Sequence, residues 1–147
     1  MAQAIFAAEA RKRGLGVQAL SAGVYEDLEG METAREARLI CQRRKTPVLQ
    51  FVSMHVSKVD APGARRIFVM SHNHIPMLVE TLKLSAERIR LLGQFDPQKR
   101  GEEIEDPFGQ DGPAFECCYK RMRDCIVHYL DTTEDFKLRR YDESSSG

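Results

Sequence analysis

The stretch "RRIFVMSHNHIPMLVETLKLSAERIRLLGQF", residues 65–95, places an amphipathic segment between two short apolar ones. Residues 65–70 are short, largely apolar and partly β-branched, which is typical of a buried strand, and residues 88–95 are interpreted as another strand. Residues 72–83 between them have the apolar spacing of a helix, where Pro76 is tolerated because it lies near the start. A strand, a helix and a second strand in this order predict a parallel strand pair with the helix packed on one face.

The rest of the sequence repeats this alternation of helical and strand-like segments. We expect a first helix over residues 2–14 with Gly14 as its C-terminal cap, a strand over 17–23, and a second helix over 30–47. The last helix, over residues 113–130, has an apolar stripe formed by Phe115, Tyr119, Met122, Ile126, Tyr129 and Leu130. This alternation predicts an α/β fold, a three-layer sandwich whose short parallel sheet is covered by helices on both faces.

Composition limits the classes of partner. At 147 residues the chain has the length of one domain. Lys and Arg together number 22, as do Asp and Glu, so the net charge is zero and gives no general reason to expect a nucleic-acid partner. No apolar run approaches the roughly 20 residues that span a membrane, so we expect no membrane anchor. After Asp131 the sequence becomes charged and then Ser-rich, which predicts a domain over residues 1–131 and a disordered tail over 132–147.

The four cysteines are Cys41, Cys117, Cys118 and Cys125. Three of them fall within nine positions of the predicted last helix, which is not the spacing of a disulfide framework. This distribution predicts reduced thiols and therefore a cytoplasmic protein.

An aspartate followed by proline lies in the loop "EEIEDPFGQDG", residues 102–112, just ahead of the last helix. Proline restricts the backbone, so this loop is suited to hold the carboxyl group of Asp106 in one position. In a parallel sheet the loops that follow the strands gather along one edge. We therefore expect Asp106 to share a crevice with Ser21, Tyr25 and His72, which lie at or after the ends of other predicted strands.

Several segments resemble the low-molecular-weight protein tyrosine phosphatase family, which has arsenate-reductase-like and arginine-phosphatase relatives. The resemblance is in register from residue 1 to about residue 130 and is closest over residues 89–126. "MAQAIF" is similar to the start of the helix that follows the family's catalytic loop, and "SAG" at 21–23 to its small-residue turn. "IRLLGQFDPQK" and "IEDPFG" resemble its last strand and its acid loop, and "AFECCYKRMRDCI" its terminal helix.

The resemblance implies a reaction and a set of roles. Asp106 matches the family's general acid, which protonates the leaving phenolate of a phosphotyrosine and then activates the hydrolytic water. Phe108 matches an aromatic wall for the substrate ring, and Ser21 matches a serine that supports the catalytic loop. The resemblance implies a second aromatic wall in the loop after "SAG", where Tyr25 lies nearby although the family's usual aromatic position corresponds to Asp27. The implied substrate is a phosphotyrosine protein or a small phosphoester, hydrolysed through a cysteinyl-phosphate intermediate. No cofactor and no metal ion are expected.

The family's nucleophile, however, is a cysteine in a Cys-(five residues)-Arg loop that precedes its first helix. This sequence starts at that helix, so the resemblance implies that the cysteine, the arginine and a first, central strand are all missing. We therefore expect an N-terminally truncated domain with a gapped sheet and no phosphatase turnover, and an oligomer or a swapped strand is possible. The alternative is a non-catalytic phosphatase-like remnant or a binding module.

Cys117 and Arg123 have the Cys-(five residues)-Arg spacing, but they do not fit the rest of the motif. The intervening "CYKRM" has no Gly, Asn or Ser to form a concave loop, and it lies in the predicted last helix, where backbone N–H groups are used internally. Chance together with helix packing is the better interpretation of this spacing. His72 and His74 match no closed zinc pattern and are predicted to be turn and helix-start residues, not metal ligands.

Overall fold

A computed structural model describes residues 1–136 of the chain. Within these residues it contains a small parallel sheet and four α-helices, so the predicted α/β class is confirmed. The helices are α1 (Ala2–Lys12), α2 (Arg35–Arg43), α3 (His74–Leu82) and α4 (Gly112–Thr132), and the strands are β1 (Ile67–Val69) and β2 (Ile89–Leu91).

The sheet separates two apolar cores. β1 and β2 are parallel, in register from Ile67 opposite Ile89 to Val69 opposite Leu91. Because side chains alternate along a strand, Phe68 faces a core shared with α1, α2 and α4, while its two neighbours face a second core under α3. Helices thus cover both faces of the sheet, as the predicted three-layer sandwich requires.

The predicted strand over residues 17–23 is wrong. Val17 is half-buried while Gln18 and Leu20 are exposed, so burial alternates as it would along a strand. The backbone N–H groups of residues 17–22 nevertheless donate no hydrogen bond within the described part of the chain. Within positions 1–136, the bridge from Gly23 to His55 is the only one that this segment forms. A strand needs a partner as well as a suitable sequence, and none of the described segments lies alongside residues 17–22 as a strand.

The helix predicted over residues 30–47 begins later, because its first residues pair with another segment. The N–H of Thr33 donates to the carbonyl of Phe51 at 2.7 Å, and the N–H of Ser53 donates to that of Met31 at 2.8 Å. The segments 28–33 and 48–53 thus pair with each other around an isolated antiparallel bridge between Glu32 and Val52, and we call the two segments together the arm. The Thr33 hydroxyl donates to the Gln50 carbonyl and so does not cap α2.

Gly14 ends the first helix as predicted, in the position just after the cap residue. Its N–H donates to the carbonyl of Arg11, and the N–H of Leu15 donates to that of Ala10, both at 3.0 Å. This pair of bonds is the Schellman arrangement, which needs a residue in the left-handed conformation just after the cap. Gly14 adopts φ +66°, which glycine reaches without a side-chain clash.

The packed part of the domain extends past residue 131. α4 continues to Thr132, and beyond it the Asp135 carboxylate accepts bonds from Arg66 at 2.8 and 3.0 Å and from the Tyr129 hydroxyl at 2.6 Å. Phe136 is buried, with its ring centroid 6.2 Å from that of Tyr129. The first five residues of the expected tail therefore belong to the fold, and its remainder, 137–147, lies outside the described residues.

The ion pair of Asp135 should make stability depend on pH. Bonds from Arg66 lower the pKa of Asp135 from 3.8 to about 2. Because this pKa is depressed in the folded state, the stabilisation is present above pH 3.8 and is lost as the pH falls through about 2. We expect Asp135→Asn to lower the free energy of unfolding by about 1 kcal/mol at pH 7, allowing for solvent screening.

Urea unfolding of the two proteins at pH 7 and at stepwise lower pH measures this difference, which should shrink as the pH falls. Asp131→Asn is the matched control, since that carboxylate pairs with Arg13 but is 56% exposed and should change stability little. If the difference in the free energy of unfolding did not shrink at low pH, the stabilisation could not be assigned to ionised Asp135.

A second prediction concerns the turn after β2. A Cβ on Gly93 would lie 1.7 Å from the carbonyl oxygen of Glu102, a backbone atom that cannot rotate away. We expect Gly93→Ala to lower the free energy of unfolding by at least about 2 kcal/mol. Gly112→Ala is the control, because a Cβ added there, at the start of α4, would meet no atom within 4 Å, and this substitution should cost less than about 1 kcal/mol. Equal unfolding midpoints for the two variants would refute the close contact.

Candidate active site

One open cleft of about 350 Å³ contains most of the predicted site residues. It lies between the start of α1, the turn at Ser21, the arm, and the segment 102–110, which we call the acid loop. Its lining consists of Met1, Gln3, Ala4, Ser21, Leu28, Met31, Glu32, Thr33, Val48, Leu49, Gln50, Val52, Ser53, Asp106 and Phe108.

The cleft brings together Ser21, Asp106 and Phe108 but not the other predicted residues. Tyr25 lines a smaller neighbouring hollow, and its ring meets that of His74 edge-on at a centroid distance of 6.2 Å. His72 is not part of the lining, and its N–H donates to the carboxylate of Glu103 at 2.8 Å. The expectation that Tyr25 and His72 share this crevice is therefore wrong, because loops that gather on one sheet edge still point their side chains in different directions.

Local backbone bonds fix the acid loop near Asp106. Its carboxylate accepts the N–H of Phe108 at 3.0 Å, an Asx turn that sets the direction of the side chain. Pro107 is buried, and its carbonyl accepts the N–H of Gln110 at 2.9 Å to close the next turn. Gly109 in that turn has φ +79°, which favours glycine. The Asp106 carboxylate is thus held at the cleft while remaining exposed to an incoming group.

The walls of the cleft are mainly apolar and open to solvent. Phe108 is 66% exposed, and the arm contributes Leu49, Val52, Met31 and Leu28, all of them exposed. Large apolar side chains that cluster in the open mark a binding surface more often than a structural one. An aromatic or aliphatic group can therefore be held between Phe108 and the arm.

The charges at the cleft are unevenly distributed. Glu32 and Asp106 are acidic, and no Lys, Arg or His side chain is among the lining residues within positions 1–136. The start of α1 also opens here, and its first N–H groups have no partner inside the helix. These groups and the helix dipole give that end of the cleft a partial positive character.

None of the cysteines lines the cleft. Cys41, Cys118 and Cys125 are buried, and Cys117 is exposed on α4. Burial, with the nearby negative charge of Asp106 adding to it, raises the pKa of Cys118 to about 11, so this thiol stays protonated at neutral pH. Cys117 and Arg123 both lie inside α4, where no loop surrounds an anion, and both side chains are exposed, so their motif-like spacing is a coincidence.

Two polar residues at or behind the cleft were not anticipated. Glu32 belongs to the stretch predicted as helix, and it becomes a cleft residue only because the arm is extended. Arg121 lies on α4 behind the acid loop and contacts its backbone. The sequence signal for Arg121 is its spacing of three positions from Cys118, which puts both residues on one side of a helix.

Neither a metal-binding cluster nor a membrane-crossing helix is found among the described residues. No group of three or more His, Cys, Asp or Glu side chains among them could hold a metal ion. In the same part of the chain no helix is both long and apolar enough to cross a membrane.

Comparison with known proteins identifies the family. A family model described as low molecular weight phosphotyrosine protein phosphatase matches residues 1–138. The chain is 26% identical over 130 residues to the protein-arginine-phosphatase of Bacillus subtilis (strain 168), a match that covers 88% of this chain and 82% of that protein. It is 29% identical over 91 residues to the low molecular weight phosphotyrosine protein phosphatase of Dictyostelium discoideum. That second match covers 58% of this chain and only 48% of the Dictyostelium protein.

The fold agrees with these matches. The crystal structure of the low molecular weight protein tyrosine phosphatase from T. tengcongensis superposes with a TM-score of 0.79 at 22% sequence identity. The superposition covers 90% of this chain and 88% of that one. Because the family model matches nearly the whole sequence, this chain belongs to the low molecular weight phosphotyrosine protein phosphatase family.

Proposed function

We propose that this domain serves phosphoester hydrolysis, with Asp106 as the general acid and base. The observation that carries the proposal is the meeting of Asp106, Phe108 and Ser21 in one cleft at the start of α1. Family membership supplies the reaction, and the shared cleft supports a role in it for each of these residues. The substrate class is a phosphotyrosine protein or a small phosphoester.

In the proposed reaction Asp106 acts twice. It first donates its proton to the oxygen of the departing phenolate as the phosphoryl group passes to a cysteine thiolate. Asp106, now a carboxylate, then takes a proton from the water that attacks the cysteinyl phosphate, which releases inorganic phosphate and restores the thiolate. Its exposed position at the cleft, set by the N–H of Phe108, suits both steps.

The other cleft residues have binding roles in this proposal. Phe108 provides one wall for the substrate ring. Tyr25, in the neighbouring hollow beyond Leu28, contacts the protein part of a phosphoprotein substrate. Ser21 supports the phosphate end of the cleft, where the start of α1 provides N–H groups that have no partner inside the helix. The four free cysteines suit a reducing compartment, and on that basis we propose the cytoplasm.

The 147-residue chain by itself is proposed to be without turnover. The reaction requires a thiolate at the phosphoryl group, and the cleft contains neither a cysteine nor an arginine among its lining residues within positions 1–136. Asp106 can assist only in proton transfer and cannot replace the nucleophile.

A non-catalytic binding module is the second candidate, and one observation favours it. The burial of residues 17–20 alternates as it would along a strand, the backbone N–H groups of residues 17–22 donate no bond within the described residues, and Leu20 is 54% exposed. Unpaired strand-like backbone readily accepts another strand. In this second proposal the segment pairs with a strand of a partner, or with a strand swapped from a second copy of the chain.

The first prediction for function is that the purified chain does not hydrolyse para-nitrophenyl phosphate. The release of nitrophenolate should stay at the background rate, and Cys117→Ser should leave it there. Steady hydrolysis that disappears in Cys117→Ser would mean that α4 contains the nucleophile after all. Hydrolysis that survives this substitution would also contradict the proposal and would point to a different mechanism.

A second prediction tests the role of Asp106. Fusion of a segment that supplies a strand and a Cys-(five residues)-Arg loop ahead of residue 1 should produce phosphatase activity. In this fusion, Asp106→Asn should lower turnover of phenyl phosphate about 100-fold, because the poor leaving group needs a proton. Its turnover of para-nitrophenyl phosphate should fall less, because that leaving group is stable as an anion.

Glu105→Gln is the matched control for that experiment, since Glu105 is exposed and adjacent but does not line the cleft. It should keep nearly full activity. An unchanged rate on phenyl phosphate in Asp106→Asn would remove Asp106 from the acid role. A folded fusion without activity that forms dimers would favour the binding module.

A further inference from the structure

The side chain of Arg121 connects the two ends of one loop. Its Nε donates to the carboxylate of Asp96 at 2.8 Å, just after the turn Leu92–Phe95 that follows β2. Its Nη1 donates to the carbonyl of Glu103 at 2.6 Å and its Nη2 to that of Glu102 at 3.2 Å. One planar guanidinium therefore closes residues 96–103 into a ring, a task for which its fixed set of donors is suited.

The beginning of this ring is itself well ordered. Asp96 is buried, and its other carboxylate oxygen accepts the N–H groups of Gln98 and Lys99 at 2.9 and 3.0 Å. The N–H of Gly101 donates to the carbonyl of Gly93 at 2.9 Å, so the loop returns to the turn after β2. Arg121 thus joins the acid loop to a fixed point and not to a mobile one.

The far end of the ring leads directly to Asp106. The N–H of Ile104 donates to the carbonyl of Met70 at 3.1 Å, which ties the acid loop to the end of β1. The thiol of Cys118, one helical turn before Arg121, donates to the carbonyl of Glu105 at 3.8 Å. α4 therefore holds three carbonyls, those of residues 102, 103 and 105, immediately before the aspartate.

Arg121 does not face the cleft. It is not among the lining residues, and its donors are directed to the loop and to Asp96. Its side chain is only 23% exposed. A role in binding the phosphate of a substrate is therefore not available to it in this arrangement.

From these contacts we infer that Arg121 is a positioning residue that fixes the acid loop, and through it Asp106, at the cleft. The inference rests on the proposed role of Asp106 for its functional meaning. Its structural content, that one α4 side chain determines the order of residues 102–108, can be tested without turnover. Arg123 lies two positions along the same helix, with its side chain 3.8 Å from Glu9. It does not share this role in positioning the acid loop.

Amide hydrogen exchange of the 147-residue chain, followed residue by residue by NMR, tests the inference. In Arg121→Met the amides of Ile104, Phe108 and Gln110 should exchange at least about tenfold faster than in the unaltered chain, since charged hydrogen bonds to the loop are lost. Their chemical shifts should move as well. Amides inside α1 should keep their rates, and Arg123→Met should leave the acid loop unchanged.

Arg121→Lys provides a second, milder variant should the methionine variant not fold. Lysine keeps the charge next to Asp96 but lacks the planar fork that reaches both carbonyls. We expect the amides of Gln98 and Lys99 to stay protected while those of Ile104 and Phe108 exchange faster. This separation distinguishes positioning of the acid loop from a general contribution to stability.

Three results would overturn the inference. In the first, the acid-loop amides of both Arg121 variants exchange within about twofold of the rates in the unaltered chain. In the second, exchange becomes faster throughout the protein, α1 included. In the third, Arg123→Met speeds exchange in the acid loop as much as the Arg121 variants do. Because exchange does not depend on turnover, failure of Asp106 in the fusion experiment would refute the proposed function and leave the positioning result intact.

Discussion

The packing of Tyr129 against four phenylalanine rings is the interaction on which the rest of this fold depends. Its ring centroid lies 4.8 Å from that of Phe68 in β1 and 5.1 Å from that of Phe95 after β2, both nearly edge-on. Phe6 of α1 and Phe136 lie 6.3 and 6.2 Å away. Edge-to-face pairs stabilise beyond the area that they bury, so one α4 side chain joins the strands, the first helix and the C-terminal segment. Two strands of three residues each would be marginal without such support.

The sequence predicted the element types well where periodicity was strong and less well where a partner decided the outcome. The stripe of α4 and the apolar run of β1 led to the correct helix and strand, because burial of one face is encoded locally. Residues 17–23 have an equally suitable pattern, yet strand formation there depends on a neighbour elsewhere in space. Residues 30–33 were predicted as helix and instead pair with 50–53, a long-range contact that local patterning does not reveal.

Like the fold, the candidate site could be predicted from the sequence only in part. The topological argument placed Ser21 and Asp106 together, since it concerns where loops lie, and the resemblance added Phe108. The topological argument failed for Tyr25, because the direction of a side chain in a loop depends on turns that the strand order does not determine. Arg121 was missed for a related reason. A basic residue on a helix surface is usually solvated, and its contact with the acid loop follows only from how α4 packs.

The two walls of the cleft are held in different ways, and this difference has a functional consequence. The acid loop is bonded to β1 and α4 through Ile104 and Arg121, elements that belong to the main core. The arm is held chiefly by bonds within itself, such as that from the Ser53 hydroxyl to the Leu28 carbonyl, and its apolar side chains are largely exposed. Segments with few buried contacts open more easily than those anchored in a core. The wall that contains the proposed proton donor is therefore bonded more directly to the main core, which suits proton transfer from a fixed position, while the arm has fewer such bonds.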